Sequence, residues 1–145
     1  MQYGTRNDPQ TGVLMPWYTH GALDEILTWD FQDQIVLEYG GGHSTKWWAS
    51  RAKYVYTVES DRHWYQTISD FGLQNSALEL REKYPVSSYI DVPTGCVPDI
   101  VAIDGEHRRE CLEVALTLPR PLTIVFDNWQ QDFVFVDEVA EAMMR

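Results

Sequence analysis

At 145 residues, with 44% apolar residues and six tryptophans, the chain is too hydrophobic for a disordered segment and sized for one domain with a single core. Eleven basic against twenty-two acidic residues give a formal charge of −11, which repels nucleic-acid phosphates, so DNA and RNA are not expected partners and a small-molecule substrate is. No apolar run approaches the roughly 20 residues of a membrane-spanning helix, and no charged-then-apolar leader stands at Met1, so the expected setting is soluble and cytoplasmic.

Residues 1–14 are polar and carry turn chemistry at Asn7-Asp8-Pro9 and Thr11-Gly12, which predicts a flexible N-terminal arm ahead of a domain over residues 15–145. Pro16-Trp17-Tyr18-Thr19-His20 then leads into an amphipathic helix with Leu23, Ile26 and Leu27 on one face. The apolar run Ile35-Val36-Leu37 reads as a strand buried on both faces. It stops at Glu38, three glycines follow at Gly40, Gly41 and Gly42, and Ser44-Thr45 open a helix that continues through Trp47, Trp48 and Ala52. This is a strand, a tight turn and a helix start, where glycine permits positive φ and a close ligand, and where unpaired N–H groups point outward. A nucleotide-like ligand fits. The order Ser44-Thr45-Lys46 rules out a P-loop, and Thr45 stands where a dinucleotide fingerprint needs its third glycine.

A second strand over residues 54–58 ends on Glu59, about twenty residues past the glycines, where a carboxylate can accept hydrogen bonds from a ribose diol. Residues 62–71 form a helix containing Trp64. Ser76-Ala77-Leu78-Glu79 has the capping-box form and predicts a short helix to Lys83, ending before Pro85. Residues 86–92 read as the third strand, with Asp91 at its end. Residues 98–104 are the fourth, apolar until Asp104, at the crevice where open parallel sheets bind ligands. A helix from about Glu106 to Leu118 turns Cys111, Leu112, Ala115 and Leu116 inward and carries His107 and Arg108 in its first turn. Residues 122–126 are the fifth strand, ending on Asp127-Asn128. Val136, Val139, Ala140 and Met143 suggest a last helix. Asp104, Asp127 and Asn128 are hard oxygen ligands that would suit Mg²⁺, although Asp-Asn is also ordinary turn chemistry. Cys96 and Cys111 are read as free thiols.

Glu38-Tyr39-Gly40-Gly41-Gly42-His43-Ser44-Thr45, the Val58-Glu59-Ser60-Asp61 strand end with Trp64 just after, Ile103-Asp104-Gly105 and Phe126-Asp127-Asn128 together resemble a class I S-adenosylmethionine-dependent methyltransferase. The resemblance implies an α/β, Rossmann-like doubly wound parallel sheet of strand order 3-2-1-4-5, with right-handed crossovers and without the last two strands usual in the family. It implies S-adenosylmethionine as cofactor, bound by Glu38, Gly40, Gly42, Ser44, Thr45, Glu59, Asp91, Asp104 and Tyr18, with Asp91 accepting from the adenine amino group and Trp64 either stacking on the base or packing in the core. It further implies methylation of a small molecule at oxygen, with His107 or Asp104 taking the proton, as in the catechol-type branch that also uses the metal. A module that holds the cofactor without turnover is the alternative, and a nicotinamide-dependent oxidoreductase is disfavoured by Thr45. The fifth strand would be an apolar sheet edge, covered by a second copy in a homo-oligomer, by a partner or by the N-terminal arm.

Overall fold

The computed structural model describes residues 6–16, 18, 20–119 and 122–126. Helix α1 (His20–Ile26) is followed by a regular alternation of β1 (Ile35–Tyr39), α2 (His43–Arg51), β2 (Tyr54–Glu59), α3 (Arg62–Asp70), β3 (Ser76–Leu80), α4 (Val86–Ile90), β4 (Ile100–Ile103), α5 (Arg108–Thr117) and β5 (Thr123–Phe126). Every strand pair is parallel, and the order is β3-β2-β1-β4-β5, so the expected Rossmann-like α/β sheet is present.

The sheet is organised by its two central strands. All four residues of β4 and the last four of β1 are buried, as a parallel strand covered by helices on both faces requires. Side chains alternate between two cores. Val36, Val55, Ile100 and Ala102 pack with Trp47, Trp48, Phe31 and Leu23 on one face, while Leu37, Tyr39, Val101 and Ile103 pack with Tyr89, Cys111, Leu112 and Ala115 on the other. Burying one such aliphatic side chain is worth about 1.5–3 kcal/mol, so the two layers dominate the stability of the fold. No helix among the described residues is long and apolar enough to cross a membrane.

The third strand is not where the sequence pattern put it. Ser76–Leu80, expected as a helix, is β3, paired from Val55↔Ser76 to Glu59↔Leu80, and Val86–Ile90, expected as a strand, is α4. A helix from Ser76 to Lys83 is marginal by itself, whereas the open edge of β2 offers a full ladder of hydrogen-bond partners. The Glu79 carboxylate pairs with Arg81 instead of closing a capping box. Pro85 cannot donate to a ladder, and at φ −66° it suits the N-cap of α4. Arg81 Nη1 caps the other end, donating to the carbonyls of Ser88, Tyr89 and Asp91.

Within the expected N-terminal arm, residues 6–14 have local structure. Asn7 and Leu14 form an antiparallel bridge, Gly12 turns at φ 74°, and Asp8 is buried. The last predicted helix, with Val136, Val139, Ala140 and Met143, lies outside the described residues.

Candidate functional site

A cleft of about 890 Å³ opens where the carboxyl ends of β1, β2 and β4 meet, lined by the glycine turn, Glu59, Asp61, Trp64 and Asp104 among others. Its floor is made by backbone. Gly40 has φ 88°, and a Cβ there would lie 2.5 Å from Gly105 Cα; a Cβ on Gly41 would meet Ile68 Cδ1 and Thr57 Cγ2 at 2.7 Å. These two glycines let elements of the protein approach each other. The space thought to be kept for a ligand is filled at those positions by the chain itself.

The amides of the turn are also committed. Gly41 N–H donates to Glu59 Oε1 at 3.0 Å, and Gly42 N–H donates to Thr45 Oγ1 at 3.1 Å. Glu59 Oε2 accepts from the N–H groups of Ser60 and Asp61, each at 2.7 Å. One carboxylate, 7% exposed, therefore fastens the turn after β1 to the turn after β2. Asp61 caps α3 through the Trp64 N–H at 3.0 Å and leaves the Trp64 ring half-buried on the cleft wall, 3.4 Å from where a Gly42 Cβ would stand.

Behind the turn, Glu38 at 1% exposure receives three hydroxyls: Ser44 Oγ at 2.5 Å, Thr45 Oγ1 at 2.6 Å and Thr57 Oγ1 at 3.3 Å. Burial pushes its carboxyl up to about 7, the three hydroxyls working in the opposite direction and the negative charge of Asp104 adding to the rise. Thr45 thus fits the glycine pattern through two hydrogen bonds of its hydroxyl, accepting from the Gly42 N–H and donating to Glu38.

Of the residues singled out in the sequence, Gly40, Gly42, Ser44, Glu59 and Asp104 line the cleft, while Glu38 and Thr45 support it from behind. Asp104 ends β4 with Oδ1 3.3 Å from Arg108 Nη2, and Arg108 Nε donates to the Gly105 carbonyl at 3.2 Å. Three of the residues lie elsewhere than the resemblance implied. Tyr18 is 2% exposed in the core with Met15 and Leu23, and Pro16 takes its place at the cleft. Asp91 is the C-cap of α4, exposed and outside the lining. His107, read as a proton acceptor, is the residue before α5 at φ 49°; its Nε2 is 2.7 Å from the Lys83 carbonyl and so carries the proton there. Its ring packs edge-on to Tyr84 and Tyr89 and does not line the cleft.

Asp127 and Asn128 lie outside the described residues. Among the described residues no group of three or more His, Cys, Asp or Glu side chains could hold a metal ion, and Asp104 is engaged with Arg108. Residues that sequence reasoning left out include Pro16, Lys83, Tyr89 and Glu106 on the cleft wall. Their only signal is topological, because they come from loops and from an α4 that the pattern had read as a strand.

No protein-family model matches the chain, and no curated protein sequence does. Among solved structures, the YcgJ protein from Bacillus subtilis is similar at TM-score 0.53 and 14% identity, over 73% of this chain and 48% of that one. A dimethyladenosine transferase from Plasmodium falciparum is similar at TM-score 0.53 and 20% identity, over 79% of this chain and 44% of that one. A protein-L-isoaspartate O-methyltransferase matches at TM-score 0.42 and 19% identity, over 68% of this chain and 32% of its own. This chain spans less than half the length of each. With the strand order, the likeness at TM-score 0.53 shows that this chain shares the Rossmann-like α/β fold of those first two structures, one of them a methyl-transferring enzyme by its description.

Proposed function

We propose that the cleft binds S-adenosylmethionine and that the chain uses it to methylate a small molecule at oxygen. The observation that carries the reading is the commitment of the turn's amides. Gly41 and Gly42 donate within the protein, and the surrounding wall presents the carboxylates of Glu59, Asp61 and Asp104. A pyrophosphate laid on this turn would find the Gly41 and Gly42 N–H groups already taken and four carboxylates, Glu59, Asp61, Asp104 and Glu106, in a lining that also holds Arg62, Lys83 and Arg108. A cationic, phosphate-free nucleoside meets carboxylates instead. Glu59 accepts three N–H groups, and a carboxylate has about four lone-pair positions, which leaves one acceptor site for a ribose hydroxyl.

The bound cofactor supplies an electrophilic methyl group, and the chain's contribution is orientation and proton handling. Glu38, Ser44 and Thr45 hold the turn, Glu59 joins it to the β2 end, and Asp104 is the cleft carboxylate that accepts the proton from a hydroxyl acceptor. Arg108, 3.3 Å from Asp104, fixes that carboxylate's orientation. A subunit that holds the cofactor without turnover is the second reading, favoured by the position of His107 outside the cleft.

Isothermal titration with S-adenosylmethionine, S-adenosylhomocysteine and NAD, with and without Mg²⁺, tests this. Micromolar binding of the first two, no binding of NAD, no effect of Mg²⁺ and loss of binding in Glu59→Gln are expected. Binding of NAD alone would overturn the reading. Binding without methylation of any hydroxyl acceptor would leave the accessory-subunit reading.

A further inference from the structure

Residues 6–16 form a second anchored feature, remote from the glycine turn. Besides the Asn7–Leu14 bridge, the Asp8 N–H donates to the Val13 carbonyl at 2.8 Å and the Gly12 N–H to the Asp8 carbonyl at 2.8 Å. The Asp8 side chain has no exposed surface and accepts four bonds. Arg51 gives Nε to Oδ2 at 2.5 Å and Nη2 to Oδ1 at 2.8 Å, Trp47 gives Nε1 to Oδ2 at 2.8 Å, and the Gln10 N–H reaches Oδ1 at 2.8 Å. Every lone-pair position of the carboxylate is filled, two of them by the rigid fork of one guanidinium. A buried ion pair is a weak source of net stability, so such an arrangement points to position as what it secures.

Arg51 is the last residue of α2, and the first turn of the same helix carries His43 and Ser44 on the cleft wall. Nine helical residues span about 13 Å, so Asp8 is docked at the far end of the helix that starts at the glycine turn. From there the chain returns through Met15, fully buried in the core, to Pro16, which is itself buried and lines the cleft. A separate tie, Arg6 to Asp24 at 2.8 Å, holds the start of the hairpin to α1.

We propose that Asp8 is a positioning residue for the cleft: by docking residues 6–16 on the end of α2 it holds Pro16 as one wall of the ligand site, so that hairpin docking and ligand binding are coupled. The coupling is reciprocal. A ligand that touches the Pro16 wall tightens the hairpin by the same factor that the docked hairpin tightens the ligand. The ligand half of the statement rests on the S-adenosylmethionine reading; the mechanical half does not.

Two variants separate these. Asp8→Asn keeps the volume but turns an amide N–H toward groups that are themselves donors. Gly12→Val strains the exposed tip at φ 74°, with nothing within 4 Å of its Cβ, and so loosens the hairpin without altering the side chains bonded to Asp8. Amide hydrogen exchange of the full chain is measured without ligand and with S-adenosylhomocysteine, together with the Kd. The expected results are faster ligand-free exchange at residues 8–15 and at Gly41 and Gly42 in both variants, wild-type exchange in β3, and a Kd weaker by about tenfold in Asp8→Asn. In the wild type the ligand should slow exchange in the hairpin. A loosened hairpin with unchanged exchange at Gly41 and Gly42 and an unchanged Kd overturns the proposal. If the wild type binds no S-adenosylhomocysteine, the cofactor reading fails while the ligand-free exchange still decides the coupling. If Asp8→Asn does not fold, Gly12→Val gives the same decision.

Discussion

Glu38→Gln is the substitution that most sharply tests the electrostatics of the cleft floor. The Glu38 carboxyl moves from 4.5 to about 7 on folding because it is sealed under the glycine turn with only hydroxyls for company. The native state therefore holds this proton more tightly than the unfolded chain. The resulting stability is complete below the unfolded value and is lost as pH rises through the folded one. The displacement amounts to about 3 kcal/mol in total, of which about 2–3 kcal/mol disappears between about pH 5 and about pH 8. For a domain near this size each kcal/mol moves the Tm by about 2–4 °C, which gives a fall of about 5–10 °C attributable to this group. Gln fills the same space, keeps an oxygen for the Thr45 and Thr57 hydroxyls, and does not ionise. Thermal unfolding followed by circular dichroism across that range should show the wild-type Tm falling relative to the Glu38→Gln Tm. Parallel curves for the two proteins would show that Glu38 stays ionised in the fold, and the account of the floor given above would be wrong.

Gly40→Ala places a Cβ 2.5 Å from Gly105 Cα at a residue with φ 88°, so it should cost about 2–5 kcal/mol, read as a drop in the urea midpoint; an unchanged midpoint would mean that the floor yields easily. Thr45→Val removes the hydroxyl that accepts from Gly42 and donates to Glu38 and should cost about 1–3 kcal/mol, with Thr45→Ser recovering most of it by the same assay. Cys96 and Cys111 are free and buried, and burial pushes both thiols up to about 12. Neither should react with iodoacetamide at neutral pH until urea unfolds the chain, and labelling of the native protein would place one of them at the surface.

The parts of the fold that were legible in the sequence are those where one local signal coincides with burial. Ile35-Val36-Leu37 and Ile100-Val101-Ala102-Ile103 are continuous apolar runs in which every residue but the half-buried Ile35 is covered by the two layers, and each ends on a carboxylate that the cleft uses or is braced by. The third strand failed for the opposite reason. Ser76-Ala77-Leu78-Glu79-Leu80 is half-buried at a sheet edge, with no β-branched residue, and only the neighbouring β2 makes it extended. The orientation of His107 was not legible either: three residues after Asp104, it has φ 49° and its ring lies against Lys83 and Tyr89. The Asp8–Arg51 pair joins positions 43 residues apart, and no local pattern marks it.

The meeting of Gly40 and Gly105 has a kinetic consequence. Gly40 follows β1, Gly105 follows β4, and a side chain on Gly105 would collide with the Tyr89 hydroxyl, which in turn accepts from the Glu106 N–H at 3.2 Å. Three elements meet at one point beneath the cleft, so the Gly40–Gly105 contact opens only with the ends of β1 and β4. Opening that leaves the sheet intact then falls to the rest of the wall, the Pro16 segment and the start of α3 with Trp64. A ligand's residence time would be governed by how often those two edges part, and substitutions there should change the dissociation rate far more than the shape of the seat it leaves.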